Sequence, residues 1–330
     1  MSERLPVAVI GVGHLGSLHT KMFSENPSAF LAGVFDADSA RAKEKAELYH
    51  CQAFSSIDEA LNAVKAVSIA TPTTLHFEVA KQAIERGIHV FIEKPITTTT
   101  EQARTLVALA KQYNVKIQVG HIERFNPALL ALERFNINPM FIESHRLAQF
   151  NPRGTDVAVV LDLMIHDIDI ILSFVNSPVK SIHANGIAVV SDTVDIANAR
   201  IQFENGCVVN VTASRISQKK MRKMRMFQRD AYISIDFSDG VAEVFRLIDE
   251  DDQSGANTML LGAITQGTVH RKIVYEQPEI KEVNALKHEL GLFVDAVQND
   301  KQPIVKGEDG LRALEVAQQI IESINQNKIW

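Results

Sequence analysis

Two short segments, far apart in the chain, carry side chains that could act together on a hydroxyl group. The first, "FIEKP" (91–95), ends an apolar run with Glu93, Lys94 and Pro95. A lysine held beside a reacting oxygen hydrogen-bonds it and stabilises developing negative charge. The second, "LDLMIHDIDIILS" (161–173), reads as a helix that puts Asp162, His166, Asp169 and Ser173 at i, i+4, i+7 and i+11, on one face. Histidine is the side chain best tuned to move protons near neutral pH. Asp162, one turn away, can orient the ring and stabilise its protonated form; Asp169 can do the same or bind substrate. Most other positions in that helix are Leu, Ile or Met, Asp167 being the exception. A helix apolar around most of its circumference is buried, so its polar stripe must face a cleft or a hydrogen-bonded interior. The plainer alternatives are an amphipathic helix with solvated acids and a Glu-Lys pair solvated at a strand end. Metal chemistry is disfavoured, because there is no HExxH and one His with two Asp on a single helix is a thin ligand set.

The partner for such chemistry is written near the N-terminus. "VAVIGVGHLGSLH" contains Gly11-x-Gly13-x-x-Gly16, where a strand ends and a helix opens. Glycine lets the backbone turn tightly and approach a pyrophosphate, whose charge meets N–H groups at the helix start, here His14 and Leu15. Asp36 closes the second strand twenty residues after Gly16, where it can accept hydrogen bonds from ribose hydroxyls. It repels a 2′-phosphate, so NAD is favoured over NADP, with Arg41 nearby as the counter-argument. "ATPTTLH" (70–76) follows the third long strand; Thr71, Pro72, Thr73 and His76 there can border a flat ring, or simply form a capped strand-to-helix turn. Glu93 and Lys94 belong to the same cofactor-facing edge, since ligands of open parallel sheets bind beyond the carboxyl ends of the strands. A nicotinamide, a base for the hydroxyl proton and a cation near the oxygen are what hydride transfer from an alcohol requires.

These groups need a scaffold. The first ~120 residues alternate short β-rich runs (6–13, 29–38, 64–72, 88–95, 115–121) with helix-period stretches (14–26, 38–49, 57–63, 75–87, 99–114). Unbroken apolar strands between helices argue for a parallel sheet covered on both faces, an α/β doubly wound Rossmann domain over 1–121. Thr98 followed by Glu101 fits a capping box for the helix after Pro95. Beyond 122 the texture changes. Helices are expected at 126–135 and 162–175, then strands at 139–148, 179–191, 196–203, 207–214, 221–228 and 231–238, with Asn-Gly of "FENGC" as a hairpin turn. Strands in succession point to an α+β domain with a mainly antiparallel sheet over 122–330. The tail returns to helix at 284–299 and 308–326, and the last helix can pack back on the first domain. The stretch 249–258 is polar and reads as a loop.

"VGHIERFNPA" (119–128) sets His121, Glu123, Arg124 and Asn126 at the domain junction, for substrate contacts or hinge hydrogen bonds. "SRISQKKMRKMRMFQR" (214–229) is a local basic run, either a solvated strand or a cationic surface for an anionic substrate such as a nucleotide diphosphate.

Length and composition bound the rest. At 330 residues the chain has room for roughly two domains. A net charge of −6 gives no cationic surface for nucleic acid, and no apolar run is long enough to span a bilayer. Met1-Ser2-Glu3-Arg4 does not read as a signal peptide. Cys51 and Cys207 are the only cysteines, which with these features points to a cytoplasmic protein in a reducing compartment.

Taken together, GVGHLGSLH, ATPTTLHFEVA, EKP and the D-x-x-x-H of Asp162–His166 resemble the Gfo/Idh/MocA family of oxidoreductases. The resemblance extends to "GEDGLRALEVAQQII" (307–321) and so covers nearly the whole chain. It implies a Rossmann domain followed by an α/β domain with a large open antiparallel sheet, which commonly mediates homodimers or homotetramers. It also implies that Lys94 and His166 act on the substrate hydroxyl with Asp162 nearby. "GHIERFNPA" and the pattern over 212–237 look most like members that oxidise the 3-hydroxyl of UDP-N-acetylglucosamine-type sugars. Free sugars and inositol stay open as substrates, and so does a non-catalytic NAD-binding sensor.

Overall fold

The computed structural model describes residues 3–151, 157–249, 251, 258–266 and 269–327. They form two compact units. The first comprises the chain up to Ile122 together with 284–315; the second comprises Glu123–Val283 and the chain from Val316. In chain order the elements are β1 (Leu5–Ile10), α1 (His14–Ser24), β2 (Ala29–Phe35), α2 (Ser39–Tyr49), β3 (Gln52–Ala53), α3 (Ile57–Asn62), β4 (Ala66–Ile69), α4 (Thr73–Glu85), β5 (His89–Glu93), α5 (Thr100–Tyr113) and β6 (Ile117–Gly120). After a 3-10 turn at Ile122–Phe125 come α6 (Pro127–Leu130), β7 (Phe141–Leu147), a π-helical turn at Val160–Met164 and α7 (Ile165–Phe174). Eight strands follow: β8 (Val179–Ile187), β9 (Ile196–Phe203), β10 (Val208–Ser214), β11 (Met221–Phe227), β12 (Ala231–Asp236), β13 (Val241–Asp249), β14 (Thr258–Gln266) and β15 (Val269–Glu276). Helices α8 (Ala285–Gln298) and α9 (Gly307–Gln326) close the chain, and the division between the units falls inside α9.

The first unit is a six-stranded parallel sheet in the order β3-β2-β1-β4-β5-β6. Chain direction across the sheet reverses between β1 and β4, the place where doubly wound sheets bind ligands. The strands are apolar on both faces because helices cover both; Ala66, Val67, Ser68 and Ile69 of β4 are all buried. Val7 and Val9 pack with Met22 and Phe23 of α1 and Phe91 of β5. Leu290, Phe293 and Val294 of α8 complete that cluster, so the chain returns to this unit well before its last helix. The open edge of the sheet is covered too. Val119 N–H donates to Val305 O at 3.0 Å, Gln118 bridges to Lys306, and Gly310 lies so close to β6 that a Cβ there would meet Val119 at 2.6 Å. The cap of α5 is Thr99, which accepts from Gln102 N–H, rather than Thr98. Four successive threonines offer four hydroxyls, and the helix starts one residue later than the capping-box spacing suggests.

The second unit is built on a nine-stranded sheet in the order β14-β15-β13-β12-β11-β7-β10-β9-β8. All neighbours are antiparallel except β7 and β10. The Asn-Gly hairpin joins β9 to β10, with Gly206 at φ +88°. Only Pro127–Leu130 of the expected 126–135 helix is helical. Strands β13 to β15 lie where the sequence signalled none. Most of the expected polar loop at 249–258 lies outside the described residues.

One buried ion pair locks the approach to α7. Asp195 and Arg215 are both buried; Arg215 Nε donates to Asp195 Oδ1 at 2.8 Å. The backbone N–H groups of Val189, Val190 and Ser191 donate to Asp195 Oδ2. Arg215 also donates to Val157 O at 2.6 Å, and Val159 N–H donates to Val194 O, so this cluster anchors the residues that lead into the π turn. Burial opposes ionisation of Asp195, but the backbone donors, Arg215 and Ser191 win and hold its carboxyl far below the usual carboxylate range. Asp195→Asn leaves a buried guanidinium without its counter-charge and is expected to cost about 3–5 kcal/mol, read as a lower urea midpoint at pH 7. The folded carboxyl titrates below its unfolded value of about 3.9, so the stabilisation is full at neutral pH and is lost as pH falls below about 4. The gap between wild type and variant therefore narrows in acid.

Candidate active site

The carboxyl edge of the parallel sheet is where the first unit's polar residues gather. β1 ends at Ile10 and the chain turns through Gly11, at φ +84°, into α1. Each glycine of the turn has its own reason. A Cβ on Gly11 would stand 2.9 Å from Ala70 O, and one on Gly16 would stand 1.8 Å from Gly11 O. A Cβ on Gly13 would meet no protein atom within 4 Å. Gly11 thus lets the turn pass close to the chain after β4, Gly16 lets α1 pack on that turn, and Gly13 keeps open space in front of the helix. Gly13 caps α1 without any side-chain hydrogen bond, and His14 and Leu15 are exposed beside it. Backbone N–H groups at such a start suit a diphosphate.

Asp36 closes β2 with its carboxylate fixed from two sides: Val12 N–H donates to Oδ2 at 2.8 Å and Asp38 N–H donates to Oδ1 at 2.9 Å. Arg41 Nη1 stands 3.3 Å from Oδ1. Beyond β4, the Thr71 hydroxyl is buried with no hydrogen-bond partner among the described residues. His76 is buried with Nδ1 2.9 Å from Pro95 O and Nε2 3.0 Å from Thr71 O. It therefore ties the turn after β4 to the turn after β5 and offers no ring nitrogen to a ligand. Burial pushes its pKa down, against the upward pull of the two carbonyls. An open glycine turn, an uncapped helix start, an orphaned hydroxyl and a braced ribose-type acid fit a dinucleotide at this edge.

Glu93 is buried at the end of β5, and Lys94 beside it is half-buried. The Glu93 carboxylate sits in a made space. A Cβ on Gly120 would come within 2.8 Å of it, so β6 has glycine where it passes. His19 Nε2 stands 3.0 Å from Glu93 Oε1, at ion-pair distance, and His19 Nδ1 is 2.8 Å from Ser68 Oγ. Lys94 N–H donates to Glu93 Oε2 at 3.2 Å. His121 is buried just after β6. Neither His19 nor Ser68 was singled out from sequence, although His19 lies three residues after Gly16, on the buried face of α1.

In the second unit, Asp162 and His166 are half-buried on successive turns. The run is not one α-helix, however. Asp162 lies in the π turn and His166 in α7, and the wider i→i+5 closure shifts Asp162 from its i, i+4 position. Ser173 is exposed and donates to Ile170 O. Asp169 is buried and takes both ends of the Arg124 fork, at 2.7 and 2.8 Å. Two residues expected to contact substrate thus satisfy each other. Asn126 caps α6 through Ala128 N–H and donates to Phe237 O. Asp167, the exception on the sequence stripe, accepts from Arg146 Nε at 2.5 Å and Ser144 Oγ at 2.7 Å. Arg146 also reaches Glu123 at 3.1 Å, as does Arg222 at 2.9 Å. Burial disfavours the Arg146 charge, but Asp167 and Glu123 more than offset it and raise its pKa. Within the basic run Lys223 pairs with Asp236 at 3.0 Å and Arg225 with Glu143 at 2.5 Å, while Met224 and Met226 are buried. Among the described residues no group of three or more His, Cys, Asp or Glu is placed to hold a metal ion.

Residues 5–121 match the oxidoreductase family described as having an NAD-binding Rossmann fold, and 140–243 match the GFO/IDH/MocA C-terminal domain. The chain is 36% identical over 315 residues to a UDP-N-acetylglucosamine 3-dehydrogenase of Acidithiobacillus ferrooxidans, covering 94% of this chain and 95% of that one. It is 28% identical to a scyllo-inositol 2-dehydrogenase (NAD(+)) of Bacillus subtilis, over 96% and 93% of the two chains. A solved structure of the Acidithiobacillus enzyme superposes with a TM-score of 0.87 at 34% identity, covering 98% of this chain and 99% of that one.

The unequal surroundings of the three glycines give a test. Gly13→Ala is expected to fold with an unchanged melting temperature and to weaken NAD binding about tenfold or more, as titration calorimetry would read. Gly16→Ala should instead unfold or melt markedly earlier, because its new methyl group collides with backbone.

Proposed function

The chain belongs to the Gfo/Idh/MocA family of oxidoreductases, and from that premise we propose that it is an NAD-dependent dehydrogenase of a nucleotide-linked amino sugar, oxidising the 3-hydroxyl of a UDP-N-acetylglucosamine-type substrate. The observation that carries the substrate is the 36% identity to the UDP-N-acetylglucosamine 3-dehydrogenase, sustained over 94% of the chain. Inositol dehydrogenases match as well, one at 35% identity but over 55% of the chain. Inositol, or a free sugar, is therefore the second reading.

NAD supplies the hydride acceptor when bound. The residues assigned to hold it are Gly11, Gly13, His14, Leu15 and Gly16 for the diphosphate, Asp36 for the ribose, and Thr71, Pro72, Thr73, Glu93 and Lys94 along the strand tips, with His76 bracing two of the turns. Asp36 repels an added 2′-phosphate, which favours NAD over NADP. Lys94 is assigned to the substrate hydroxyl oxygen, whose developing negative charge its ammonium stabilises. His166 takes the hydroxyl proton, and Asp162 favours the protonated ring. His121 is proposed to line the substrate. Arg124, Asn126 and Asp169 would serve by holding the substrate-side backbone in place, given the bonds they make to protein.

The second unit supports a further part of this reading. Phe141, Phe227, Tyr232, Phe245 and Tyr275 form a ladder across β7, β11, β12, β13 and β15, with ring centroids 4.9 to 5.9 Å apart. The ladder is half-exposed in the single chain. A contiguous aromatic patch of that kind marks an interface, and its proposed occupant is a second copy of the chain, giving a dimer or tetramer. The setting is the cytoplasm, where NAD is available and the thiols of Cys51 and Cys207 stay reduced.

With NAD and UDP-N-acetylglucosamine, absorbance of the reduced cofactor should rise for the wild type. Lys94→Ala and His166→Ala are each expected to lower kcat by roughly 10²–10⁴-fold, with NAD affinity unchanged in His166→Ala. Wild-type rates in both variants would overturn the assignment of roles, and NAD binding without turnover on any sugar or inositol would favour a sensor. Tyr232→Asp should reduce the sedimenting species to monomer; an unchanged sedimentation coefficient would remove the aromatic ladder from the interface.

A further inference from the structure

Glu93 raises a physical problem that cofactor binding does not answer. A carboxylate is costly to bury unless it is paired and hydrogen-bonded, yet this one sits at the tip that presents Lys94. Three contacts surround it. His19 of α1, itself bonded through Nδ1 to Ser68 of β4 at 2.8 Å, stands 3.0 Å from Oε1, and Gly120 of β6 leaves room for the carboxylate. The third contact is to Lys94 itself, through its N–H at 3.2 Å from Oε2. Phe91 closes the other side of the His19 ring, edge-on, with centroids 5.4 Å apart. The His19 ring is fully buried.

We infer that His19 is a positioning residue for Lys94: its imidazole holds the Glu93 carboxylate, and the carboxylate holds the backbone from which the Lys94 side chain departs. Ser68 sets the ring. The Ser68 hydroxyl can turn either to donate to Nδ1 or to accept from it. This rests on the role proposed for Lys94. It adds that the lysine is aimed from behind, by a histidine on the helix that also opens the dinucleotide turn.

The test uses the full-length protein and three variants. His19→Leu keeps bulk and removes the polar edge, His19→Gln restores an N–H near Nε2, and Ser68→Ala removes the hydroxyl alone. The first readout is competitive labelling of Lys94 by acetic anhydride, followed by peptide mass spectrometry, which needs no substrate. In His19→Leu the Lys94 labelling rate should shift by about threefold or more, and kcat with UDP-N-acetylglucosamine should fall roughly 10- to 100-fold while KM for NAD stays within about twofold, as expected for a misplaced reacting group. His19→Gln should restore most of both, and Ser68→Ala should fall between.

If His19→Leu and His19→Gln lose melting temperature alike while Lys94 labelling and kcat match wild type, the inference is wrong and His19 is only a core residue. Lys94→Ala separates this from the functional reading. Full turnover in Lys94→Ala removes the role of the lysine; lost turnover there with an unaffected His19→Leu removes only the positioning. If His19→Leu does not fold, the labelling of Ser68→Ala decides, and a wild-type Lys94 rate in it overturns the inference.

Discussion

A buried carboxylate at the end of a parallel strand is the constraint around which the first unit is arranged. Glu93 lies there against a ring, a donor and a gap, each from a different element: the His19 imidazole of α1 at 3.0 Å, the Lys94 N–H from the turn, and the missing Cβ of Gly120 from β6. The same helix begins with the uncapped turn at Gly13. One element therefore connects the diphosphate end of the sheet edge with its lysine end. Because β4 and β5 are adjacent in the sheet, Ser68 and Glu93 can share the ring of His19. Buried polar contacts of this kind rigidify what they hold, and rigidity is what the role proposed for the Lys94 ammonium requires.

The second unit solves a related problem with other means. Its buried charges come in matched pairs, Arg124 with Asp169, Arg146 with Asp167 and Glu123, Arg215 with Asp195. Breaking any of them leaves a buried charge alone, which is expensive. The pairs line the segments on either side of Asp162 and His166. Asp167 and Asp169 are in α7 itself, while Asp195 and Arg215 secure the residues before the π turn. Arg124 and Asp169, both candidate substrate contacts in the sequence, bond each other, and Asp169 does so from the helix that carries His166.

Much of this was legible in the sequence, for definite reasons. The parallel sheet follows from apolar strands alternating with helices, and the dinucleotide turn from three glycines with an acid at the right distance. Lys94 stands out because a charged pair closes an apolar strand. What failed to show was pairing across distance. Nothing in "IERF" tells that Arg124 belongs to Asp169, and nothing in "ESHRL" tells that Arg146 belongs to Asp167, since salt bridges are chosen by the fold. The helical wheel for 161–173 assumed 3.6 residues per turn throughout, and the π turn at Val160–Met164 breaks that count. Strands β13 to β15 lacked clean alternation because their faces mix aromatic, charged and aliphatic residues, and His19 was hidden inside a fingerprint read only for its glycines.

The proposed reaction removes hydride from carbon 3 of a UDP-linked N-acetylhexosamine and delivers it to NAD. Incubating the protein with NAD and UDP-N-acetylglucosamine deuterated at that carbon, then weighing the reduced nicotinamide by mass spectrometry, follows that hydride itself. Reduced cofactor carrying one deuterium is expected. Reduced cofactor without the label, or none formed while the same protein reduces NAD with an inositol, would rule the reaction out.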